Sequence, residues 1–225
     1  MSDAVVVVSE EGYWGEECVE PLRTLVEADY DCTVATPTGG KPVIDERSVD
    51  PDQVGKELAD RVQEAHQSDV HLNNPTALAE INPEYFDLAV FPGGHGTVWD
   101  INTDRHAREL LQHMVETSDK KAVVICHAVG ILAFTRGEDG SFLVEGRSVT
   151  GFPNAWEEGI VDERDLLPDG RKLPYWVEDE VKAAGGKWDA ELGQDESVTV
   201  DGDLITVRGP ASSQKGAEIL LQELE

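Results

Sequence analysis

The stretch from Ala122 to Gly130 reads AVVICHAVG and decides the fold class. Its first four residues are small or β-branched and apolar, as expected of a strand buried on both faces of a sheet. Cys126 and His127 follow with no turn residue between, and a helix is predicted to run on to about Phe134. A side chain at such a strand-to-helix junction is presented at the edge of the sheet, as at a nucleophile elbow. The stretch therefore predicts an α/β fold with a functional thiol at Cys126.

Short apolar runs of the same kind recur on both sides of this stretch, with helical patterns between them. The runs predict strands at Val5–Val8, Cys32–Ala35, Leu88–Phe91, Ser197–Val200 and Leu204–Val207. Helical spacing of apolar residues predicts helices at Glu16–Asp29, Asp104–Thr117, Tyr175–Ala184 and Ala211–Leu224. Alternation of this kind is typical of a doubly wound, flavodoxin-like, mainly parallel sheet with helices on both faces.

The length of 225 residues suits one domain spanning 1–225, with an insertion expected around 45–80. The chain carries 46 Asp and Glu against 18 Lys and Arg, a net charge of −28. Nucleic-acid and anionic-membrane partners are therefore not expected, because both are bound mainly through cationic side chains. The acids are dispersed along the chain, a pattern that favours a protein from a salt-accumulating halophile, where counterions screen the repulsion.

Three cysteines, at positions 18, 32 and 126, fit neither a disulfide framework nor a paired metal motif. The sequence contains no apolar run long enough to span a membrane, and its first residues lack the basic and apolar regions of a secretory signal. A cytoplasmic location is expected. No cofactor is predicted, and no metal, since no His, Cys, Asp or Glu residues have a recognised ligand spacing.

Three strand ends carry unusual residues, and the carboxyl ends of parallel strands are where such folds bind ligands. They are the pair Glu16-Glu17, the turn Gly93-Gly94-His95-Gly96, and Cys126-His127. Glycine lets backbone N–H groups converge on a developing negative charge, so the turn is predicted to bind an oxyanion. The helix that follows Cys126 is expected to favour its thiolate.

The positions of the six histidines limit the choice of a base for this cysteine. All six lie at or before His127. A mechanism with a histidine far downstream of the nucleophile is therefore excluded, and the base is His127 itself, an upstream histidine or a carboxylate. His95, in the glycine turn, is the upstream candidate nearest the site, and its role as an ordinary loop hydrogen-bonding group is about as well supported.

Three segments resemble the DJ-1/PfpI superfamily, and particularly its Hsp31-like branch, which includes glutathione-independent glyoxalases. They are Phe91-Pro92-Gly93-Gly94-His95-Gly96, Val124-Ile125-Cys126-His127 and Val149-Thr150-Gly151-Phe152. Trp99-Asp100, the loop from Gly40 to Asp45 and the segment Gly209–Ser213 add to the resemblance. It implies a fold similar to the class I glutamine amidotransferases and a homodimer.

The resemblance also implies roles for individual residues. Cys126 would be the nucleophile, and Glu17, four positions before Pro21, would be the glutamate that hydrogen-bonds it, with Glu16 ranked second. Backbone amides of Gly94 and His127, beside Gly93 and His95, would form the oxyanion site. An acidic partner of His127 would be Glu157 or Glu158. The chain departs from the commoner family pattern at Ala128 and Pro153.

The function implied is the cysteine-dependent conversion of small dicarbonyls such as methylglyoxal to hydroxy acids, by a glyoxalase III-like lyase that forms D-lactate. It would need neither glutathione nor metal. Three alternatives stay open: a stress-response holdase chaperone, with Trp14, Trp156 and Trp176 as possible exposed apolar surface; a redox sensor that uses Cys126; and a weak peptidase or amidase. Deglycase and peptidase activities rank lower.

Overall fold

The computed structural model describes residues 2–189 and 196–222. Within them, the strands are β1 (Asp3–Val7), β2 (Asp31–Thr36), β3 (Thr76–Ala77), β4 (Leu88–Phe91), β5 (Lys121–Ile125), β6 (Ser148–Val149), β7 (Lys187–Trp188), β8 (Val198–Asp201) and β9 (Leu204–Val207). Seven of these strands form a central sheet in the order β3-β2-β1-β4-β5-β9-β8, and β6 pairs with β7 in a separate small sheet.

The α-helices are α1 (Gly15–Glu27), α2 (Pro51–Val54), α3 (Lys56–Ser68), α4 (Val70–Asn73), α5 (Thr97–Asp100), α6 (Arg105–Glu116), α7 (Ile131–Phe134), α8 (Asn154–Glu157), α9 (Val177–Ala183) and α10 (Ser213–Gln222). Short 3-10 helices cover Glu46–Val49, Leu78–Glu80, Pro83–Tyr85, Cys126–Gly130 and Pro210–Ser212. None of the helices in the described residues is both long enough and apolar enough to span a bilayer.

The central strands are parallel, except that β8 runs antiparallel to β9. Their side chains alternate between two cores, one on each face of the sheet. Along β1, Val5 and Val7 pack with the apolar face of α6, whereas Ala4 and Val6 pack with that of α1. This arrangement confirms the predicted doubly wound, mainly parallel sheet covered by helices on both faces.

Adjacent positions in the sheet bring three strand ends together. β1 lies between β2 and β4, and β4 lies between β1 and β5. Because these strands are parallel, the residues that follow Val7, Phe91 and Ile125 emerge at the same edge. The three segments singled out by the sequence therefore meet there.

Several boundaries differ from the sequence-based ones. The two-residue strand β3 was not predicted, because Thr76–Ala77 is too short to show an alternating pattern. The last helix, predicted over Ala211–Leu224, begins with a 3-10 turn at Pro210 and is α-helical over Ser213–Gln222. Positions 223 and 224 lie outside the described residues. Residues 45–80 follow β2, form mainly short and medium helices, and include β3. That they are an insertion into a single domain stays a prediction.

Candidate active site

Cys126 occupies a strained turn at the end of β5. Its φ is +58°, a left-handed conformation that costs a non-glycine residue about 1–3 kcal/mol. β5 pairs with β4 on one side and β9 on the other, and Ile125, the residue before Cys126, is paired with Val207. The side chain is 4% exposed. The geometry is that of a nucleophile elbow, as the stretch around Cys126 predicts.

The glycine turn after β4 lies directly against this elbow. A Cβ atom on Gly93 would lie 2.6 Å from the carbonyl oxygen of Ile125 and 2.7 Å from both the Cβ of Cys126 and an Oε atom of Glu17. Gly94 has φ +103°, and a Cβ there would meet the backbone of Trp14 at 2.4 Å. Both positions therefore require glycine, which allows the turn to approach the thiol closely.

Two backbone amides reach the sulfur, and they are the ones that the sequence reasoning named. Hydrogen bonding from the amides of His127 and Gly94 acts to lower the pKa of the Cys126 thiol. Larger causes oppose them: burial first, and then the charge and side-chain contact of Glu17. The pKa of Cys126 is raised well above its ordinary value.

The expectation that a helix would favour the thiolate is therefore wrong for the free site. The helical segment after β5 is 3-10 over Cys126–Gly130 and becomes α-helical only for Ile131–Phe134. So short a segment provides little dipole, and burial outweighs it. The thiol needs a nearby base to lose its proton.

Glu17 lies on the first turn of α1 and is completely buried. Its Oε2 accepts a hydrogen bond of 2.9 Å from the backbone amide of Gly93. Its Oε1 is buried and has no hydrogen bond of ordinary geometry to the described residues, although the carboxyl group lies close enough to Cys126 to affect its titration. Burial raises the pKa of Glu17 to about 8, against smaller opposing hydrogen bonds from Cys126 and Gly93. At neutral pH this carboxyl group is mainly protonated.

His127 links the thiol to a second carboxyl group. Its Nδ1 lies 3.3 Å from the Sγ of Cys126, and its Nε2 lies 2.6 Å from Oε2 of Glu157. The ring of Phe152 stacks on the imidazole with centroids 4.2 Å apart, which fixes the ring plane. The arrangement Cys126–His127–Glu157 has the geometry of a nucleophile, a base and an orienting carboxylate.

His95 is not a simple loop residue, because it is bound on both ring nitrogens. Its Nε2 lies 2.8 Å from Oε1 of Glu157, and its Nδ1 lies 2.9 Å from an Nη atom of Arg47. Burial, and then the neighbouring His127, lower the pKa of His95 to about 4. Burial alone would raise the pKa of Glu157, but hydrogen bonds from His127 and His95 hold it well below its ordinary value.

Arg47 is the site residue that the sequence reasoning missed. It lies in the 3-10 helix Glu46–Val49, where Asp45 caps the helix and binds the guanidinium through Nε at 3.0 Å and Nη2 at 2.5 Å. No motif marks this position, since Arg47 is one of many charged residues in a polar segment.

Burial distinguishes Glu17 from Glu16, and it distinguishes Glu157 from Glu158. Glu16 is half-buried at a cleft it shares with Gln53 and Leu58, and it does not line the cavity of Cys126. Glu158 is exposed, whereas Glu157 is 4% exposed and bound to both histidines. The structure thus brings Glu17, the first-ranked choice, to the cysteine, and it brings Glu157 rather than Glu158 to the histidine.

The ligand atoms of His95, His127 and Glu157 lie within 4.8 Å of one another, a cluster that the spacing argument for metals did not foresee. Each carboxylate oxygen is paired with one imidazole nitrogen, at 2.8 Å and 2.6 Å. Two ligands of a tetrahedral zinc ion with bonds of 2.0–2.1 Å stand roughly 3.3 Å apart. The observed spacing fits N–H···O hydrogen bonds better than shared ligation, and the absence of a metal stays a prediction.

A cavity of about 220 Å³ opens onto Cys126. Its walls are mainly apolar, and the polar groups around it include those already described. The apolar and aromatic side chains are Trp14, Phe152, Trp156, Ile160 and Pro210. Arg47 borders this cavity and also a neighbouring one of about 370 Å³, which contains none of the predicted site residues.

The fold and the elbow define the class of molecule: an α/β protein with a cysteine at the edge of a doubly wound sheet. The model of the DJ-1/PfpI family matches residues 3–223, and the chain belongs to this family.

Two curated relatives and one crystal structure show where the chain lies within the family. Glyoxalase 3 of Candida albicans is 27% identical over 221 residues, which cover 95% of this chain and 90% of that protein. The glutathione-independent glyoxalase HSP31 of Saccharomyces cerevisiae is 27% identical over 212 residues, which cover 92% and 86%. The crystal structure of glyoxalase III from Candida albicans matches with a TM-score of 0.82 at 20% identity, over 100% of this chain and 98% of that one. The Hsp31-like resemblance is confirmed, while the homodimer, the halophilic origin and the absence of a nucleic-acid partner stay predictions.

Proposed function

We propose that the protein converts small 2-oxo aldehydes, of which methylglyoxal is the simplest methyl-bearing example, to 2-hydroxy acids without glutathione or metal. The observation that carries the proposal is the position of Sγ of Cys126. It lies 3.3 Å from Nδ1 of His127, receives the amides of Gly94 and His127, and faces a small apolar cavity.

In the first step Cys126 adds to the aldehyde carbon. His127 takes the thiol proton, the S–C bond forms, and the carbonyl oxygen becomes an oxyanion beside the amides of Gly94 and His127. Donors placed at a developing oxyanion typically contribute a factor of about 10²–10³ each. His127 then returns the proton to this oxygen, which gives a hemithioacetal.

The second step moves hydrogen between the two substrate carbons. Neutral His127 removes the C1 proton while protonated Glu17 donates to the C2 carbonyl oxygen, and an enediol results. The imidazolium then protonates C2, and the C1 hydroxyl proton returns to Glu17, which leaves a thioester of the hydroxy acid. Attack by water, with His127 as base, releases the acid and restores the thiol.

The cavity supports a small substrate. About 220 Å³ lies at or below the lower end of ordinary ligand pockets, so a three- or four-carbon dicarbonyl fits better than a peptide. The names of the relatives, glyoxalase 3 and glutathione-independent glyoxalase, agree with this class of substrate.

The direct test incubates purified protein with methylglyoxal in the absence of glutathione and in the presence of a chelator. We expect loss of the dicarbonyl with stoichiometric D-lactate, measured with a stereospecific lactate assay. Dicarbonyl loss without lactate, or lactate formation only after glutathione is added, would contradict the proposal.

The holdase alternative receives less support from the surface. Trp14, Trp156 and Trp176 are all half-buried, and the first two line the cavity. Suppression of client aggregation that survives Cys126→Ala, together with no lactate formation by the wild type, would favour the holdase. Sulfinate at Cys126 without turnover would favour the redox sensor.

A further inference from the structure

Four side chains beyond the thiol and its base form a continuous hydrogen-bonded chain. Asp45 binds the guanidinium of Arg47, which contacts Nδ1 of His95 at 2.9 Å, and Nε2 of His95 contacts Oε1 of Glu157 at 2.8 Å. The other oxygen of Glu157 binds His127. This series of hydrogen bonds thus connects His127 to a segment that lies about 80 residues earlier in the sequence.

The chemistry of arginine fixes where the proton of His95 lies. A guanidinium has only N–H donors and no acceptor, so Nδ1 of His95 must accept the hydrogen bond from Arg47. The ring proton is then on Nε2, from which it is donated to Glu157. His95 is neutral in this arrangement, because an imidazolium would place an N–H against the guanidinium.

We propose that Arg47 and His95 are positioning residues, which lock Glu157 in the orientation that aligns His127 with Cys126. This inference rests on the proposed function for its kinetic consequences, but not for its structural ones. With one oxygen held by His95, Glu157 offers the other to Nε2 of His127, and Nδ1 of His127 is left to take the thiol proton. A chain of donors that orients a catalytic base in this way keeps its reacting nitrogen within reach of the proton it removes.

The groups around His95 determine how the site responds to the removal of Arg47. The charged and titratable groups that act on His95 are Arg47, Asp45, His127 and Glu157. Burial and His127 are the main reasons for the low pKa of His95, and Arg47 adds a smaller effect in the same direction. Without the guanidinium, Nδ1 of His95 can take a proton and the pKa of His95 rises. A cationic His95 then competes with His127 for Glu157, and the orientation of His127 is lost.

The first test reads the proton position directly. In protein labelled with ¹⁵N at histidine, we expect the His95 nitrogens to show the Nε2–H tautomer at neutral pH and no titration until well below it. In Arg47→Met, His95 should show a second tautomer or an imidazolium. An Nδ1–H tautomer or a charged His95 in the wild type would overturn the proposal, whatever the enzyme's activity.

The second test follows the reactivity of Cys126 against pH, by iodoacetamide labelling of its peptide and by kcat with methylglyoxal. The matched control is Arg171→Met, since Arg171 lines the neighbouring cavity and not that of Cys126; it pairs with Asp169 and Glu11 and stacks on Trp99. We expect Arg47→Met to lower kcat by on the order of 10–100-fold and to move the acid limb of both profiles to higher pH. The control should do neither.

A conservative variant separates orientation from charge. Arg47→Lys keeps the positive charge but cannot bind Asp45 with two parallel donors while also reaching His95. We expect the kcat of Arg47→Lys to lie between those of Arg47→Met and the wild type. Full recovery with lysine, or an Arg47→Met protein with the pH profile of the control, would overturn the positioning role. If the wild type makes no lactate, the proposed function fails, and the tautomer and labelling experiments still test this inference.

Discussion

Two buried glutamates flank Cys126, and they differ in the direction of their pKa shifts. Glu17 is 0% exposed and Glu157 is 4% exposed. Burial raises the pKa of Glu17 to about 8, whereas hydrogen bonds from two imidazoles outweigh burial at Glu157 and hold its pKa well below the ordinary range. At neutral pH one carboxyl group is therefore protonated and the other is ionised.

The difference comes from the donors that each carboxyl group receives. Glu17 has one backbone amide, from Gly93, on one oxygen, and its other oxygen is without an ordinary hydrogen bond to the described residues. Glu157 has an imidazole N–H on each oxygen. Two buried glutamates thus provide an acid and an anion at the same thiol.

Replacement of the thiol between them should have the largest effect. We expect Cys126→Ala to reduce lactate formation to background, because no covalent adduct can form. The control is Cys18→Ala, which removes a buried thiol on α1. Activity in Cys126→Ala above a tenth of the wild-type rate would show that the chemistry lies elsewhere.

Glu157→Gln should have the next largest effect. A glutamine offers one acceptor and one donor group, so it cannot accept from both His95 and His127, and one ring must change its tautomer. We expect kcat to fall by roughly 10³–10⁴-fold, as when a histidine-orienting carboxylate is made an amide. The exposed neighbour provides the control Glu158→Gln, which should keep the wild-type rate. Equal rates in the two variants would remove Glu157 from the site.

Glu17→Gln should lower kcat by about 10²-fold, near the low end of what a positioned acid–base group contributes. The amide keeps the hydrogen bond from Gly93 but cannot transfer a proton to substrate. Glu16→Gln, one residue away on the same helix, is the matched control. Turnover of Glu17→Gln within a few-fold of the wild type would leave His127 as the sole proton carrier.

The pH dependence of the free energy of unfolding should also distinguish the two carboxyl groups. Since the folded pKa of Glu17 is about 8 against an ordinary value of 4.5, its contribution to stability is fully present below 4.5 and is lost as pH rises to 8. Relative to Glu17→Gln, the wild type should lose on the order of a few kcal/mol over that range. Glu157 has the opposite sign: its lowered pKa contributes stability that is fully present above 4.5 and is lost progressively as pH falls below that value. Urea unfolding of wild type and variant across this range measures the difference, and parallel curves would contradict it.

Much of the fold could be predicted from the chain because its central strands are continuous apolar runs. The runs at residues 5–8, 88–91 and 122–125 all lie within or next to observed parallel strands. The strand β3 could not be predicted, since a run of two residues is too short to show an alternating pattern. That the three strand ends lie at the same edge follows from the parallel direction of the strands. This part of the prediction did not depend on knowing which strands are neighbours.

The site was only partly predictable. Cys126 stands out locally, because a thiol follows a buried strand without a turn residue. Glu157 required the family resemblance, since an acid is an ordinary residue in this composition. Arg47 and the second hydrogen bond of His95 depend on packing between distant segments, and no local pattern encodes them. The predicted direction of the Cys126 pKa shift was wrong. The prediction considered only the helix that follows the cysteine, whereas burial is a property of the tertiary structure.

The most direct measurement of the central claim is the protonation of the two glutamates in the folded protein. Carboxyl ¹³C shifts of glutamate-labelled protein, assigned by comparison with Glu17→Gln and Glu157→Gln, can be followed from acid to mild base. We expect the Glu17 carboxyl to stay protonated through neutrality and to titrate near pH 8, while Glu157 stays ionised throughout. A Glu17 signal that titrates near 4.5, together with Glu157, would contradict the account.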